Sequence, residues 1–133
     1  MKKSILLLLI VLIPLLAIAQ TADDYFDKGA IKFKQGDFKG AIQDYNKAIE
    51  LDPNFVEAYY NRGVVKHELG DSKSAIQDFN KAIKLKPNLA EAYGARGVVK
   101  ISLGQKDSGC LDLSKTGELG YSKAYDLIKQ LCQ

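Results

Sequence analysis

The sequence predicts an all-α fold, a solenoid of helix-turn-helix units closed by a C-terminal capping helix, and three observations predict it. Ala41-Ile42-Gln43-Asp44-Tyr45-Asn46-Lys47-Ala48-Ile49 recurs as Ala75-Ile76-Gln77-Asp78-Phe79-Asn80-Lys81-Ala82-Ile83, an offset of 34 residues. Glu57-Ala58-Tyr59 with Arg62-Gly63-Val64-Val65-Lys66 returns at the same offset as Glu91-Ala92-Tyr93 with Arg96-Gly97-Val98-Val99-Lys100. Turn residues recur in step with both blocks, as Gly36-Asp37 and Gly70-Asp71, then as Pro53 and Pro87. A fixed period of this length means that each unit buries its apolar face only against its neighbours, and stacking them produces an extended concave surface. Function is then expected on that surface rather than in a catalytic pocket.

The first nineteen residues have a different composition. Lys2-Lys3 lead an apolar run from Ile5 to Ile18, which ends in Ala17-Ile18-Ala19. This is the pattern of a secretory signal with its cleavage site before Gln20. The run is shorter than the roughly 20 residues of a membrane span, and Pro14 and the small residues at its end favour cleavage; an uncleaved N-terminal anchor is the alternative. No cysteine stands at the cleavage point, so no lipid anchor is expected. The remainder, residues 20–133, is expected to be one exported domain, periplasmic or secreted. Without Lys2 and Lys3 the formal charge falls from +3 to +1, and Lys alternates with Asp and Glu along the rest of the chain. A nucleic-acid partner is therefore not expected, because neutralising several phosphates at once needs a clustered basic face.

Seven helices are read in the order Ala22 to Gln35, Phe38 to Leu51, Asn54 to Leu69, Ser72 to Leu85, Asn88 to Leu103, Lys106 to Glu118 and Ser122 to Leu131. Gly36 and Gly70 each end a helix in the left-handed conformation, and Asp37 and Asp71 cap the free N–H groups of the next one. Asp52 is expected to cap the third helix, with Pro53 at its first position, where the missing donor costs nothing. Lys86-Pro87 keeps the proline without that cap. The last helix puts Ala124, Leu127, Ile128 and Leu131 on one stripe and Lys123, Asp126 and Lys129 elsewhere, as a helix covering an exposed end does.

Tyr59, Gly63, Ala75, Phe79, Ala82 and Pro87 together resemble the tetratricopeptide repeat, whose pattern has aromatic, Gly, Ala, aromatic, Ala and Pro at these spacings. The first copy spans 22–55 with Tyr25, Gly29, Ala41, Tyr45, Ala48 and Pro53; the second spans 56–89. The third, 90–123, keeps Tyr93 and Gly97, then drifts to Gly109, Leu113, Thr116 and Tyr121, as a terminal repeat does. The small residues allow close helix approach and the aromatics fill the space between pairs. The resemblance implies a right-handed α-solenoid with a capping helix over 122–131, acting as a protein-protein interaction module. In the family, the first helix of each repeat lines the groove, and its ligand positions fall here on Asp23, Phe26, Ala30, Phe33 and Lys34, on Glu57, Tyr60, Asn61, Val64, His67 and Glu68, and on Glu91, Gly94, Ala95, Val98, Ile101 and Ser102. An aromatic and apolar groove with an acidic edge follows, suited to a partner protein or peptide with basic segments. Phe26 and Tyr60 also admit a plain reading as packing between helices. The Lys, Asn and Arg set with which some family members grip terminal carboxylates survives only as Asn61, which argues against a receptor for chaperone tails.

Cys110 and Cys132 are the only cysteines. In an antiparallel hairpin turning near Tyr121 they stand at equal height, so a disulfide is expected, with two buried free thiols as the alternative. Lys28, Arg62 and Arg96 form one column at the repeat spacing, and Lys32, Lys66 and Lys100 form another one turn on. Asp44, Asp78 and Asp112 recur opposite them, and the expected ion pairs are Lys28–Asp44, Arg62–Asp78 and Arg96–Asp112, each exposed and worth about 0 to 1 kcal/mol. His67 is the sole histidine. No multi-histidine metal site, catalytic triad, phosphate loop or carboxylate pair at catalytic spacing can be assembled, so no enzyme activity, metal or cofactor is expected. Self-association through the convex face is the alternative to groove binding.

Overall fold

A computed structural model describes residues 20–133, and the signal segment expected over residues 1–19 lies outside them. Among the described residues seven helices follow one another: α1 (Ala22–Lys34), α2 (Phe38–Leu51), α3 (Val56–Glu68), α4 (Ser72–Leu85), α5 (Ala90–Ser102), α6 (Lys106–Glu118) and α7 (Lys123–Leu131). The described residues contain no strand. Helices α1 with α2, α3 with α4 and α5 with α6 form three tight hairpins that stack in chain order, and α7 closes the stack against α6. This is an all-α solenoid of helical repeats. Helix α1 also touches α3, and α3 touches α5, whereas the second helices make no comparable contact. The first helices therefore lie on the inside of the curve, and α1, α3 and α5 form its concave face.

The hairpin turns follow the local rules. Gly36, Gly70 and Gly104 have φ of 80°, 85° and 83°, and the Asp37 and Asp71 side chains accept from the Gly40 and Ser74 amides. A cap not expected from the sequence opens α1, where Thr21 and Asp24 form a reciprocal capping box.

One expected cap is wrong. Asp52 does not cap α3, which begins only at Val56. Its side chain instead accepts from the Asn54 amide within a turn that contains Pro53. That turn is tied down from the far side, since the Tyr59 hydroxyl donates to the Pro53 carbonyl at 3.0 Å and Tyr93 does the same to Pro87 at 3.2 Å. The tyrosine is the element common to both turns, which explains why Lys86 replaces Asp52 without changing the geometry.

Each hairpin is built around a glycine facing a large side chain. A Cβ on Gly29 would meet the Tyr45 ring at 2.8 Å, and one on Gly63 would meet the Phe79 ring at 2.8 Å. Tyr45, Phe79 and Leu113 occupy the same place in successive hairpins and are all fully buried. The third hairpin shows why its sequence drifts. With Leu113 in place of a ring the helices come closer, and Gly109 replaces the alanine of earlier repeats because a Cβ there would lie 2.6 Å from the Gly97 carbonyl oxygen. The two changes compensate one another. Gly109→Ala, which restores the repeat's usual residue, is accordingly expected to destabilise the protein by about 1 to 3 kcal/mol through overpacking, outweighing the roughly 1 kcal/mol that alanine gains in helix propensity. Urea denaturation checks this.

The two ends of the stack differ. Ile31, Val65 and Val99 hold equivalent places on α1, α3 and α5, yet Ile31 is 56% exposed while Val65 and Val99 are 0% and 2% exposed. Helices α3 and α5 have a preceding hairpin to cover them, and among the described residues α1 has none.

Candidate functional site

The concave face carries an open apolar cavity of about 300 Å³. Tyr60, Val64 and His67 of α3 form one wall, and Gly94, Ala95 and Val98 of α5 form the other, with Phe79 and Val99 behind them. Leu127 of α7 completes the rim. Helical spacing explains the arrangement: Tyr60, Val64 and His67 stand one turn apart, as do Gly94 or Ala95 and Val98. The small residues at 94 and 95 open the space opposite the Tyr60 ring. Leu127 was expected on the buried stripe of the last helix. Ala124 is buried and Ile128 and Leu131 are half-buried, but Leu127 stays 37% exposed and faces the groove.

The other groove residues expected from the sequence divide between packing and surface. Phe26 stacks on Phe55 at 4.9 Å between ring centres and tilts against Tyr45 at 5.7 Å, so it packs between hairpins. Phe33 lies 5.6 Å from Phe38 across the first turn and joins the same cluster. Ile101 is half-buried and packs against Gly109. Tyr60 does both jobs: its ring lies 5.9 Å from Phe79 in the core while it walls the cavity. Burial, followed by the charge of Glu91, raises its phenol above the ordinary range. Asn61 is half-buried beside Tyr45, whose phenol burial raises above its ordinary range. His67 Nδ1 pairs with Ser72 Oγ at 3.0 Å.

Glu57 and Glu91 are exposed and line a second recess beside Tyr60, with Lys86 and Leu89. A partner of Glu91 was not expected: the Tyr121 hydroxyl, in the turn before α7, donates to its carboxylate at 2.7 Å. This bond is the chief reason that the Glu91 carboxyl is held below the ordinary carboxylate range and the Tyr121 phenol above the ordinary phenol range. A lowered folded value for Glu91 means that the stabilisation is present above the ordinary carboxylate value and lost as pH falls through the lowered one. A raised value for Tyr121 means that it is present below the ordinary phenol value and lost as pH rises through the raised one. In an NMR titration of the Tyr121 ring, ionisation is expected at higher pH in the native protein than in Glu91→Gln.

The charge columns form a network rather than simple exposed pairs. Arg62 donates to both oxygens of Asp78, at 2.9 and 2.7 Å, and to Asn46 of the preceding hairpin at 2.8 Å. Arg96 repeats this with Asp112 and Asn80. Lys66 and Lys100 each bring a second cation to the same carboxylate, at 2.9 and 3.0 Å. Asp78 and Asp112 are buried, so the expectation of exposed pairs is corrected: each arginine staples its own hairpin to the one before. The Lys28–Asp44 pair does not form. Lys32 meets Asp44 Oδ2 at 2.7 Å, as an ion contact without hydrogen-bond geometry, while Lys28 lies over the Tyr25 ring. Lysine lacks the forked guanidinium that grips Asp78 and Asp112.

Cys110 and Cys132 form a disulfide that ties α7 to α6 across Cα atoms 6.0 Å apart. Cys110→Ser with Cys132→Ser is expected to cost about 3 kcal/mol, from the closure entropy of a loop of this size. Hydrogen exchange should rise first in α7. Among the described residues no group of three His, Cys, Asp or Glu side chains is placed to hold a metal ion, and no helix is long and apolar enough to cross a membrane.

A family model described as "TPR repeat" matches residues 29–70, and one described as "Tetratricopeptide repeat" matches residues 56–89. No curated protein gives a significant match. Among solved structures, the crystal structure of MamA is 28% identical over 79% of this chain with a TM-score of 0.74, and the chain spans 61% of its length. The first TPR of Spaghetti (RPAP3), bound to HSP90 peptide SRMEEVD, is 28% identical, with 86% of this chain and 92% of that one covered and a TM-score of 0.81. The second TPR of the same protein, bound to the same peptide, is 26% identical, with coverages of 75% and 93% and a TM-score of 0.73.

Proposed function

Because the chain belongs to the tetratricopeptide-repeat family, we propose that it is an interaction module that holds a segment of a partner protein on its concave face, as an adaptor or scaffold in the cell envelope. The observation that carries this reading is the apolar cavity between α3 and α5, where Tyr60, Val64 and Val98 line open space on the inside of the curve. Exposed apolar surface in such a concavity marks an interaction site. Two structures of similar fold, the first and second TPRs of Spaghetti, hold a peptide. That peptide is acidic, whereas Glu57 and Glu91 border the present cavity, so this groove favours basic partners.

Affinity capture with the protein as bait in an envelope extract tests the proposal. A partner held by the native protein and lost by Val98→Lys supports it, and equal capture by both counts against it. Val98 is the better substitution because it is exposed, whereas Phe26→Ala would remove packing between hairpins.

Export supports the envelope assignment. The apolar leader ending in Ala17-Ile18-Ala19 favours it, and so does the Cys110–Cys132 bridge, since disulfides persist in oxidising compartments. N-terminal sequencing of the mature protein should begin at Gln20; recovery of the intact leader would favour the anchored form.

A second reading, self-association or docking through the convex face, draws on Leu111. It is 71% exposed on α6, where the earlier repeats carry Gln43 and Gln77. Light scattering that rises with concentration and is abolished by Leu111→Gln would favour it.

A further inference from the structure

We propose that the cavity between α3, α5 and α7 is an anchor pocket for one bulky apolar side chain of a peptide whose neighbouring residues are basic, and that the disulfide belongs to this site because it fixes the α7 wall. The inference rests on the concave-face reading and adds to it the anchor, the sign of the flanks and the third wall.

The third wall departs from the pattern of the chain's own earlier repeats. Leu127 stands 34 residues after Tyr93, at the place where Tyr59 and Tyr93 tie down the turns at Pro53 and Pro87. Tyr121 occupies the corresponding proline position, so α7 has no such turn to hold. It buries Ala124, with Ile128 and Leu131 half-buried, and leaves Leu127 on the groove side facing Val64 and Val98. An open-ended groove becomes a three-sided pocket. Its lining is hydrocarbon except for His67, already paired with Ser72, and for the Tyr60 phenol. Such a space rewards burial of an aliphatic or aromatic side chain and penalises a polar one.

The flanking charge comes from Glu57 and Glu91, each one turn before the pocket residues of its own helix, on the same face. Both carboxylates are exposed, and the Tyr121 hydroxyl holds Glu91 in place. Lys86 is the cation beside them, and the two acids leave that rim net negative. A peptide with Lys or Arg next to its apolar anchor fits this pattern by charge complementarity.

Helix α7 has nine residues and Ala124 as its one buried side chain, too little to hold a short helix firmly. The bond from Cys132 to Cys110, one turn beyond Ile128, supplies the fastening. Leu127 depends on it for position.

A random peptide library displayed on phage is selected on the intact oxidised protein, and synthetic versions of the enriched peptides are measured by fluorescence anisotropy. The expected consensus is a single Leu, Ile, Phe or Met with Lys or Arg within four residues. Binding should weaken about tenfold or more with Val98→Lys and Leu127→Ser, as loss of a central apolar contact does, with unchanged helical circular dichroism. It should weaken comparably on reduction of the disulfide. Acidic flanks, or peptides that tolerate Val98→Lys and Leu127→Ser but not Glu57→Lys, overturn the anchor pocket and leave the concave-face reading standing. Peptides indifferent to all three substitutions overturn both, as does a selection that enriches nothing. If nothing is enriched while 1-anilinonaphthalene-8-sulfonate binds the native protein and not Val98→Lys, the pocket belongs to a small apolar ligand. Full affinity after reduction removes the disulfide from the site.

Discussion

Asp78→Ala is expected to destabilise the protein by about 3 to 5 kcal/mol, the cost of removing one partner from a buried ionic cluster. Asp78 accepts two bonds from Arg62 and faces Lys66 at 2.9 Å. The Arg62 side chain is 17% exposed and that of Lys66 19%, so neither cation can recover full hydration once the carboxylate is gone. Arg62 also bonds Asn46, which means that the loss reaches the preceding hairpin. Asp44→Ala provides an internal control. Asp44 is buried as well, but its one partner, Lys32, is 37% exposed and can recover hydration when the carboxylate is removed, so a smaller cost of about 1 kcal/mol is expected. Urea denaturation of the two variants checks this, and equal losses would mean that the buried cluster has no special weight. The size of the effect does not make the cluster a net source of stability, because a buried ion pair repays little beyond the desolvation of its own charges. It fixes how one hairpin sits on the next.

Phe79→Ala is the other large effect, expected to cost about 3 to 5 kcal/mol. The side chain is 1% exposed, packs over Gly63 and lies in one cluster with Ala75, Val99, Tyr60 and Val64. These residues belong to α3, α4 and α5, so one truncation weakens both the fold of the middle hairpin and its contact with the next. In a solenoid each unit is held only by its neighbours, and a defect in the middle one separates the two ends. A broadened denaturation curve with a lower m-value is expected alongside the lower midpoint, and a sharp two-state curve with only a shifted midpoint would argue against uncoupling. The same residue backs the apolar cavity, so peptide affinity should fall together with stability.

Regular features were the legible ones. The 34-residue repeat is visible by comparing the chain with itself, the positive-φ glycines and the Asp37 and Asp71 caps are encoded by residues within a few positions of one another, and the helices begin and end within two residues of expectation. The Cys110–Cys132 bridge was legible because a hairpin has a simple symmetry about its turn. Asp52 was misread because a Pro turn and a helix N-terminus share the same residue types, and the deciding contact, Tyr59 to Pro53, comes from six residues away. Lys28 was misassigned because its column looks uniform in sequence, although the arginine at the later places makes forked contacts that lysine cannot.

The candidate site was harder to read. Positions on α3 and α5 came from the resemblance to the tetratricopeptide repeat, yet nothing local separates Phe26, which packs on Phe55, from Tyr60, which packs and lines the groove at once. The hydrogen bond from Tyr121 to Glu91 spans 30 residues, and the placing of Leu127 depends on how α7 turns after Gly120. The repeated pattern of small and large residues was enough to specify a stack of three helical hairpins, because each unit can bury its apolar face only against its neighbours, and the family resemblance assigned the first helices to its inner face. Tertiary structure alone decided which inner-face residues remain open and what closes the groove, because those depend on the rotation of one short terminal helix, set by contacts distant in the chain and by a single covalent bond.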